Sequence, residues 1–323
     1  DQMRPAEDSD DAGLKRDPRD FALWKAAKPG EPYWETPWGP GRPGWHLECS
    51  AMSTKYLGPA FDIHCGGMDL IFPHHENEIA QSEAASGKAP FVHLWLHAGL
   101  MQTGTEKMAH SLGNFVTIHD MIERFGAEVL RTYLVSEHYR TPITFSEEFI
   151  ARAEDRLRRL RSAARNGELL IGQAGAAPAL GETFAGGKLA DALREQAAAT
   201  RAQFGEALDD DLNTPRAMAA LEALAKQLNT ANDAAGREPA LASPELLPAL
   251  READGTFREL ASLLGLTLTS AAEDGDAAIQ ALLDERTRAR SSRDFATADR
   301  LRDELLQRGI TIEDRPGGTI WYR

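Results

Sequence analysis

The sequence has little cysteine and no long apolar run. Cys49 and Cys65 are the two cysteines among 323 residues, which excludes a disulfide-stabilised scaffold and favours a reducing cytoplasm. Apolar runs of roughly 18 residues, the length that spans a membrane, do not occur, so we expect no membrane partner. The chain begins at Asp1 without a secretory signal peptide, and this start predicts a piece of a longer product.

Basic residues are outnumbered by acidic ones. The 36 Lys and Arg stand against 50 Asp and Glu, a net charge of −14, which argues weakly against a nucleic-acid partner. The arginines are nevertheless concentrated, with six in 151–165 and a second arginine-rich run in 286–302. A solvated helix face is the simpler interpretation of each run, and RNA binding along one basic stripe is the alternative.

The first 145 residues indicate an α/β domain. Residues 1–40 are polar and rich in Pro, Gly and Trp, which predicts an irregular segment that joins this domain. The pattern then predicts a strand at 61–64, a helix at 74–86, a second strand at 92–96 and a hairpin that leads to Lys107. Such alternation is typical of a parallel sheet.

From 146 onward the pattern is helical. Ser146 predicts the start of one long helix, and Asn213 followed by Thr214 and Pro215 predicts the start of another. The second helix has an apolar face of regular spacing, made of Met218, Leu221, Leu224 and Leu228.

Two stretches rich in Gly and Ala, 166–187 and 267–278, predict linkers. We therefore expect the α/β domain to be followed by an α-helical bundle over 146–266. A small mixed α/β unit, with two helices and a hairpin, is expected over 277–323.

A first candidate site is the polar helix start at 74–78. His74 and Glu78 lie four residues apart and share a helix face, a spacing that suits a divalent metal, and Cys49 would add a thiolate. His75 with Glu78, three residues apart, is the competing pair. A polar helix terminus at the surface is the alternative without a metal.

Two further segments carry residues of chemical interest. The loop Lys107–Asn114 is basic, contains glycine and precedes a helix, features that suit phosphate binding, although flexible loops of this composition are common. His64–Asp69 follows a strand at its carboxyl end, where open α/β sheets bind ligands. An ordinary strand-to-helix turn is the alternative there.

Together these segments resemble the cysteinyl-tRNA synthetases. The matching segments are GRPGWHLECSAMS at 41–53, FPHHENEIAQS at 72–82, DDDLNTP at 209–215 and GGTIW at 317–321. Lys107–Asn114, with the sequence KMAHSLGN, stands where the family has KMSKSLGN. The resemblance covers essentially the whole chain, in order.

The resemblance implies ATP-dependent activation of cysteine, with magnesium, and its transfer to the tRNA for cysteine by a cytoplasmic monomer. The family's catalytic domain is a class I Rossmann fold, of which 41–145 would be the C-terminal half, carrying the zinc site and the signature loop. The region 146–266 would be the helical tRNA-binding bundle, and 277–323 the anticodon-binding unit.

The resemblance also implies site residues. The family binds zinc through two cysteines, a histidine and a glutamate, and Cys49, His74 and Glu78 match three of them. Zinc binds the substrate thiolate there, because soft sulfur binds zinc far better than the hydroxyl of serine does. The implied cysteine-binding residues are Trp45, His64 and Asp69, with Asp69 on the substrate ammonium. The implied ATP-binding residues are Lys107 and His110, and the catalytic set is Lys107, His110 and Ser111.

The chain departs from the family pattern in several places. The first ATP motif, His-Ile-Gly-His, and the first zinc cysteine are absent, so we expect no adenylation of cysteine by this chain alone. Ala109 and His110 replace a serine and a lysine of the signature loop, and a neutral imidazole supplies less positive charge. Cys65 stands where the family has glycine, which predicts a strained turn. Cys65 as the missing thiolate is a further alternative.

The leading prediction is a cysteine–tRNA ligase that needs its N-terminal half for activity. A mycothiol-type cysteine ligase, which joins cysteine to an amino sugar, is an alternative that the C-terminal region argues against. A catalytically inactive relative that binds tRNA or zinc is another, favoured by the missing motif and by His110. The gene sequence upstream of Asp1 discriminates between these functions.

Overall fold

The computed structural model describes residues 15–17, 19–103, 106–107, 117–176, 184–238, 241, 246–268, 276–315 and 318–322. The chain forms two compact units. One consists of Asp1–Ala109 with Tyr139–Thr144, and the other of His110–His138 with Phe145–Arg323. Among the described residues, no helix combines the length and the apolar character needed to cross a membrane.

The first unit is built around a pair of parallel strands. Its elements are β1 (Trp24–Ala26), β2 (Gly41–Pro43), α1 (Trp45–Leu57), β3 (Phe61–Gly67), a 3-10 turn (Met68–Leu70), a π-helical turn (Ile71–His75), α2 (Glu76–Ser86), β4 (Val92–Ala98), β5 (Met101–Thr103), β6 (Glu106–Lys107) and β7 (Ile143–Phe145). Strands β3 and β4 pair in parallel, with Phe61 opposite Val92, which confirms the predicted parallel pairing. Phe61, Phe91 and Val92 form a small buried core there, and Trp95 packs against it.

The second unit is helical and ends in a hairpin. Its elements are α3 (Ile118–Phe125), α4 (Ala127–Val135), α5 (Glu147–Ala176), α6 (Phe184–Asp209), α7 (Thr214–Arg237), α8 (Leu247–Leu263), α9 (Asp276–Ser291), α10 (Phe295–Gln307), β8 (Thr311–Arg315) and β9 (Gly318–Tyr322). Strands β8 and β9 are antiparallel, with Ile312 opposite Trp321. The two helices and the hairpin predicted for the C-terminal region are confirmed.

The two predicted helix starts are also confirmed. Before α5, the hydroxyl of Ser146 accepts a hydrogen bond from the backbone N–H of Phe149 at 3.2 Å. Before α7, the side-chain oxygen of Asn213 accepts from the backbone N–H of Arg216 at 3.2 Å. Each bond satisfies an N–H that lacks a partner within its helix.

The linker predicted at 166–187 is wrong over most of its length. Helix α5 continues to Ala176 and α6 begins at Phe184. Part of this stretch lies on a packed helix face, because Leu170 and Ala174 are fully buried and Asn166 donates to the side chain of Asn229 at 2.7 Å. Tertiary packing outweighs the weak helix propensity of glycine here.

The apolar face of α7 supplies much of the bundle core. Met218, Leu221, Leu224 and Leu228 are all 0 % exposed. We expect Leu224→Ala to lower the free energy of unfolding by about 2–5 kcal/mol, because it leaves a cavity in a close-packed interior. Leu263→Ala on α8 is the control, since this leucine is 65 % exposed. Chemical denaturation followed by helical circular dichroism measures both, and equal losses would contradict the assigned core.

The arginine run of α5 is engaged in ion pairs. The pairs, with their N···O distances, are Arg152–Glu148 at 2.5 Å, Arg156–Glu222 at 2.8 Å, Arg158–Asp155 at 2.5 Å and Arg161–Glu128 at 2.6 Å. The second run contains Arg286, which is buried and donates to both carboxylate oxygens of Asp314 at 2.7 Å. These contacts favour paired helix faces over an unneutralised basic stripe.

Candidate metal centre

Three side chains with metal-ligand chemistry meet where α1 approaches the start of α2. Cys49 lies on α1, His74 lies in the π-helical turn, and Glu78 lies in the first turn of α2. The Cys49 sulfur, a His74 ring nitrogen and a Glu78 carboxylate oxygen all lie within 4.8 Å of one another. The i,i+4 spacing of His74 and Glu78 therefore places both next to a thiol that is distant in sequence.

The carboxylate of Glu78 is the most confined group of this cluster. It is 0 % exposed, with Oε1 at 3.2 Å from Nε2 of His74 and Oε2 at 3.0 Å from Nε2 of His64. Among the described residues no nitrogen or oxygen donor makes a hydrogen bond of good geometry to either oxygen, and the Cys49 thiol is a donor that lowers the pKa of the carboxyl against the larger effect of burial. Since an unpartnered buried charge is costly, the carboxylate needs either a proton or a cation.

Burial also shifts the ionisation of the cluster toward neutral forms. It raises the pKa of Glu78 to about 7. Burial, followed by the charge of Glu78, raises the pKa of the Cys49 thiol to about 11. The pKa of His74 is lowered by burial and by the neighbouring His46 and His64. A set of nitrogen, oxygen and sulfur donors that is short of positive charge fits Zn²⁺.

The other ring nitrogen of His74, Nδ1, has a hydrogen-bond partner. Its Nδ1 lies 2.8 Å from Nδ1 of His46, so one of these atoms donates to the other. A protonated Nδ1 on His74 would leave its Nε2, the atom next to Glu78, as the metal ligand. The ring of Trp45 stacks on His74 with centroids 4.5 Å apart and an interplanar angle of 26°, which limits rotation of the imidazole.

A second group of ligand atoms shares Glu78. His64, His75 and Glu78 also bring one ligand atom each within 4.8 Å of one another. Nδ1 of His75 lies 2.8 Å from Nε2 of His97, an arrangement that parallels His74 with His46. Burial, followed by the neighbouring histidines, lowers the pKa of His75 to about 4. His74 and His75 therefore both lie close to the carboxylate of Glu78.

The outer histidines His46 and His97 were missed by the sequence reasoning. They lie on α1 and β4, far in sequence from the residues they orient, so helix spacing gives no signal for them. His46 adjoins Trp45, and His97 is one of two histidines in β4, a strand that is only partly buried, so neither position stands out in the sequence.

His46 and His97 also discriminate between the two ligand sets. If His74 is the ligand, we expect His46→Ala to weaken zinc binding roughly 10- to 100-fold, because residues that orient a ligand typically contribute that much. His97→Ala is the matched control and should change the affinity little. Competition with a zinc chelator measures both variants, and the reverse order would assign the site to His75.

The residues predicted to bind cysteine lie beside this cluster or follow it. The ring of Trp45 is 56 % exposed, and the half-buried imidazole of His64 contacts Glu78. Asp69 is exposed in the 3-10 turn after β3. Whether these residues bind cysteine stays a prediction.

The turn at Cys65 differs from the expectation. Cys65 lies within β3, paired with Leu96, and does not have a positive φ, so the predicted strain is wrong. Glycine is needed at the next two positions for another reason. A Cβ on Gly66 would lie 2.6 Å from Cε1 of His75, and one on Gly67 would lie 2.5 Å from Oδ1 of Asp69. Cys65 is exposed and belongs to neither ligand group within the described residues.

The predicted ATP-binding loop lies largely outside the described residues. The backbone of Lys107 lies in β6, opposite Gln102 of β5. His110 and Ser111 fall outside the described ranges, as does the side chain of Lys107. Their roles stay predictions from the sequence.

Comparisons with known proteins cover nearly the whole chain. The family model for the class I (C) tRNA synthetase catalytic domain matches residues 1–155, the DALR domain matches 203–269, and the cysteinyl-tRNA ligase anticodon binding domain matches 272–323.

Two curated relatives are named cysteine–tRNA ligase. The protein from Thioalkalivibrio sulfidiphilus is 48 % identical over 318 residues, which cover 96 % of this chain and 62 % of the relative. The protein from Heliobacterium modesticaldum is 49 % identical over 314 residues, which cover 96 % of this chain and 64 % of the relative. The chain thus spans somewhat less than two thirds of the length of these relatives. With its three family matches in order, the chain belongs to the cysteinyl-tRNA synthetase family of class I tRNA synthetases.

Proposed function

We propose that this chain is part of an enzyme that activates cysteine with ATP and transfers it to the tRNA for cysteine. The observation that carries the proposal is the buried Glu78 carboxylate beside the Cys49 thiol and the His74 imidazole. This donor set suits zinc, and membership of the family supports ATP, cysteine and tRNA as the reactants.

In this proposal Cys49, His74 and Glu78 hold zinc. The chemistry that zinc supplies when bound is selection of the substrate thiolate over the hydroxyl of serine. Glu78 and Cys49 would supply negative charge, and the contact between His46 and Nδ1 of His74 would leave Nε2 of His74 as the ligand atom. The neutral state of His74, favoured by its lowered pKa, keeps that nitrogen available as a ligand.

The pocket residues would orient the rest of the substrate. The exposed ring of Trp45 covers His74 and offers an apolar surface for the cysteine side chain. The exposed carboxylate of Asp69 binds the substrate ammonium. Lys107, with His110 and Ser111, stabilises the ATP phosphates while negative charge develops on pyrophosphate, and magnesium accompanies the ATP.

The helical region and the C-terminal unit would bind the tRNA. The matches to the DALR domain and to the anticodon binding domain support this assignment for 146–266 and 277–323. They also favour tRNA over the amino sugar that a mycothiol-type ligase would use.

Exchange of labelled pyrophosphate into ATP tests the proposal, with the protein encoded by the whole gene. We expect exchange that depends on cysteine, is not supported by serine, and is lost when zinc is removed by a chelator. Charging of tRNA should follow the same dependence. Exchange that serine supports equally well, or that survives zinc removal, would contradict the proposed role of the metal.

A further inference from the structure

The ligands of the proposed zinc site lie on separate helices, which must stay packed against each other for the site to form. Cys49 belongs to α1, whereas Glu78 belongs to α2, and β3 separates these helices in sequence. Metal affinity depends on ligand atoms being held close to their bonded positions. The contacts that fix α1 against α2 therefore decide whether the Cys49 sulfur reaches an ion held by His74 and Glu78.

A set of polar side chains joins the two helices next to these ligands. The Nε2 group of Gln81 donates to the backbone oxygen of His46 at 2.5 Å and to the hydroxyl of Ser50 at 2.6 Å. The hydroxyl of Ser82 lies 2.8 Å from that of Ser50. Ser50 and Ser82 are 5 % and 6 % exposed, so water competes little for these bonds.

The placement of these bonds relates them to the metal ligands. Ser50 directly follows Cys49, and Gln81 lies one helical turn after Glu78. The amide of Gln81 contacts α1 on both sides of Cys49, at His46 and at Ser50. His46 is also the residue whose ring nitrogen lies against His74, so one side chain reaches the supports of two ligands.

The orientation of the Gln81 amide points to a role beyond packing. Its oxygen is buried and finds no hydrogen-bond partner among the described residues, while its nitrogen has two acceptors. An apolar side chain of similar size would avoid the unpartnered oxygen. The arrangement is understandable if the amide nitrogen is needed to hold α1 in place.

We propose that Ser50, Gln81 and Ser82 are positioning residues that hold the Cys49 thiolate within bonding distance of the metal. This inference rests on the proposed zinc centre. It predicts that loss of these bonds loosens the sulfur–metal bond most, because Cys49 lies on α1 while His74 and Glu78 remain on α2 and its preceding turn.

Cobalt(II), which replaces zinc and reports sulfur ligation by a charge-transfer absorption, provides the test on this chain. Gln81→Glu keeps the size of the side chain but removes the donors and places negative charge against the His46 carbonyl. We expect it to weaken cobalt binding roughly 10- to 100-fold and to reduce the sulfur-to-cobalt absorption at saturating metal. Ser50→Ala, a milder change, should shift both quantities in the same direction.

Glu83→Ala is the matched control. Glu83 also lies on α2 and accepts a hydrogen bond, but from the backbone N–H of Phe91 at 2.9 Å, so its loss does not touch α1. Its cobalt affinity and spectrum should match the parent chain. Circular dichroism identifies any variant that fails to fold, and Ser82→Ala then replaces it.

The outcomes distinguish a failure of this inference from a failure of the proposed zinc centre. Normal affinity and normal sulfur absorption in folded Gln81→Glu and Ser50→Ala would overturn the positioning role. A parent chain that binds cobalt without any sulfur absorption would instead overturn Cys49 as a ligand, and with it the proposed metal centre.

Discussion

Zinc binding to this chain is expected to tighten roughly a thousandfold between about pH 6 and about pH 8. The reason is that the ligands carry protons which zinc must displace. Burial raises the pKa of the Cys49 thiol to about 11, so the thiol is protonated over this whole range. Each pH unit then strengthens binding about tenfold, or about a hundredfold in all.

The carboxyl of Glu78 accounts for the rest of the expected increase in zinc affinity. Its pKa is raised to about 7 by burial, so it loses its proton within this range and contributes about another tenfold. His74 adds less than an ordinary imidazole would, because burial lowers its pKa. Competition between the chain and a chelator of known pH dependence measures the slope.

Glu78→Gln is the matched control for this slope. The amide keeps an oxygen ligand but carries no ionisable proton, so the same pH range should strengthen zinc binding only about a hundredfold. The variant should also bind zinc more weakly at the higher pH, where the parent carboxylate is charged. Identical slopes in the two proteins would show that Glu78 does not exchange a proton for the metal.

The contribution of Glu78 to the stability of the metal-free chain should depend on pH with the opposite sign. In the folded chain the raised pKa lets Glu78 keep its proton up to about pH 7, whereas in the unfolded chain the proton is lost near 4.5, the ordinary pKa of a glutamate side chain. At this carboxyl the folded state binds more protons between these values, so the contribution of Glu78 to stability falls as the pH rises through them, whereas the lowered pKa of His75 acts in the other direction. Because zinc binds more tightly at pH 8 than at pH 6, the stabilisation that it adds should be larger at pH 8. Thermal unfolding with and without zinc at the two pH values tests this.

The proposed metal centre shows how much of a site can be predicted from helix spacing alone. The i,i+4 rule pairs His74 with Glu78 from the sequence, but it does not choose between His74 and His75. The choice depends on the π-helical turn Ile71–His75, where Phe72 adopts a non-helical φ of −136°. Such an irregular turn arises from packing between distant segments, which a single helix pattern does not contain.

The same distinction between local sequence signals and long-range packing applies to the fold. Strand pairing and helix starts were predictable, because alternation, caps and apolar faces are local. The continuation of α5 through 166–176 was not, because Gly167 and Gly172 disfavour a helix and only the buried Leu170 and Ala174 reveal what holds it. The turn at Cys65 was misjudged for the same reason, since the close approaches of His75 and Asp69 fall at the next two residues, Gly66 and Gly67.

Removal of the Cys49 sulfur should have an effect as large as the pH change. Structural zinc sites bind with about 10–16 kcal/mol over four ligands, so one ligand contributes about 2.5–4 kcal/mol, or roughly two to three orders of magnitude in affinity. We expect Cys49→Ala to weaken zinc binding by that factor. Its affinity should also lose the part of the pH dependence that comes from the thiol.

Cys65→Ala is the control that the chain itself provides, since it removes the other cysteine. Cys65 is exposed on β3, outside both groups of ligand atoms, so its loss should leave zinc affinity nearly unchanged. Chelator competition at fixed pH compares the two variants, and cobalt absorption reports which sulfur is bound. Equal losses of zinc would make Cys65 a ligand and would require β3 to shift toward Glu78, because Cys65 now lies in a regular strand opposite Leu96.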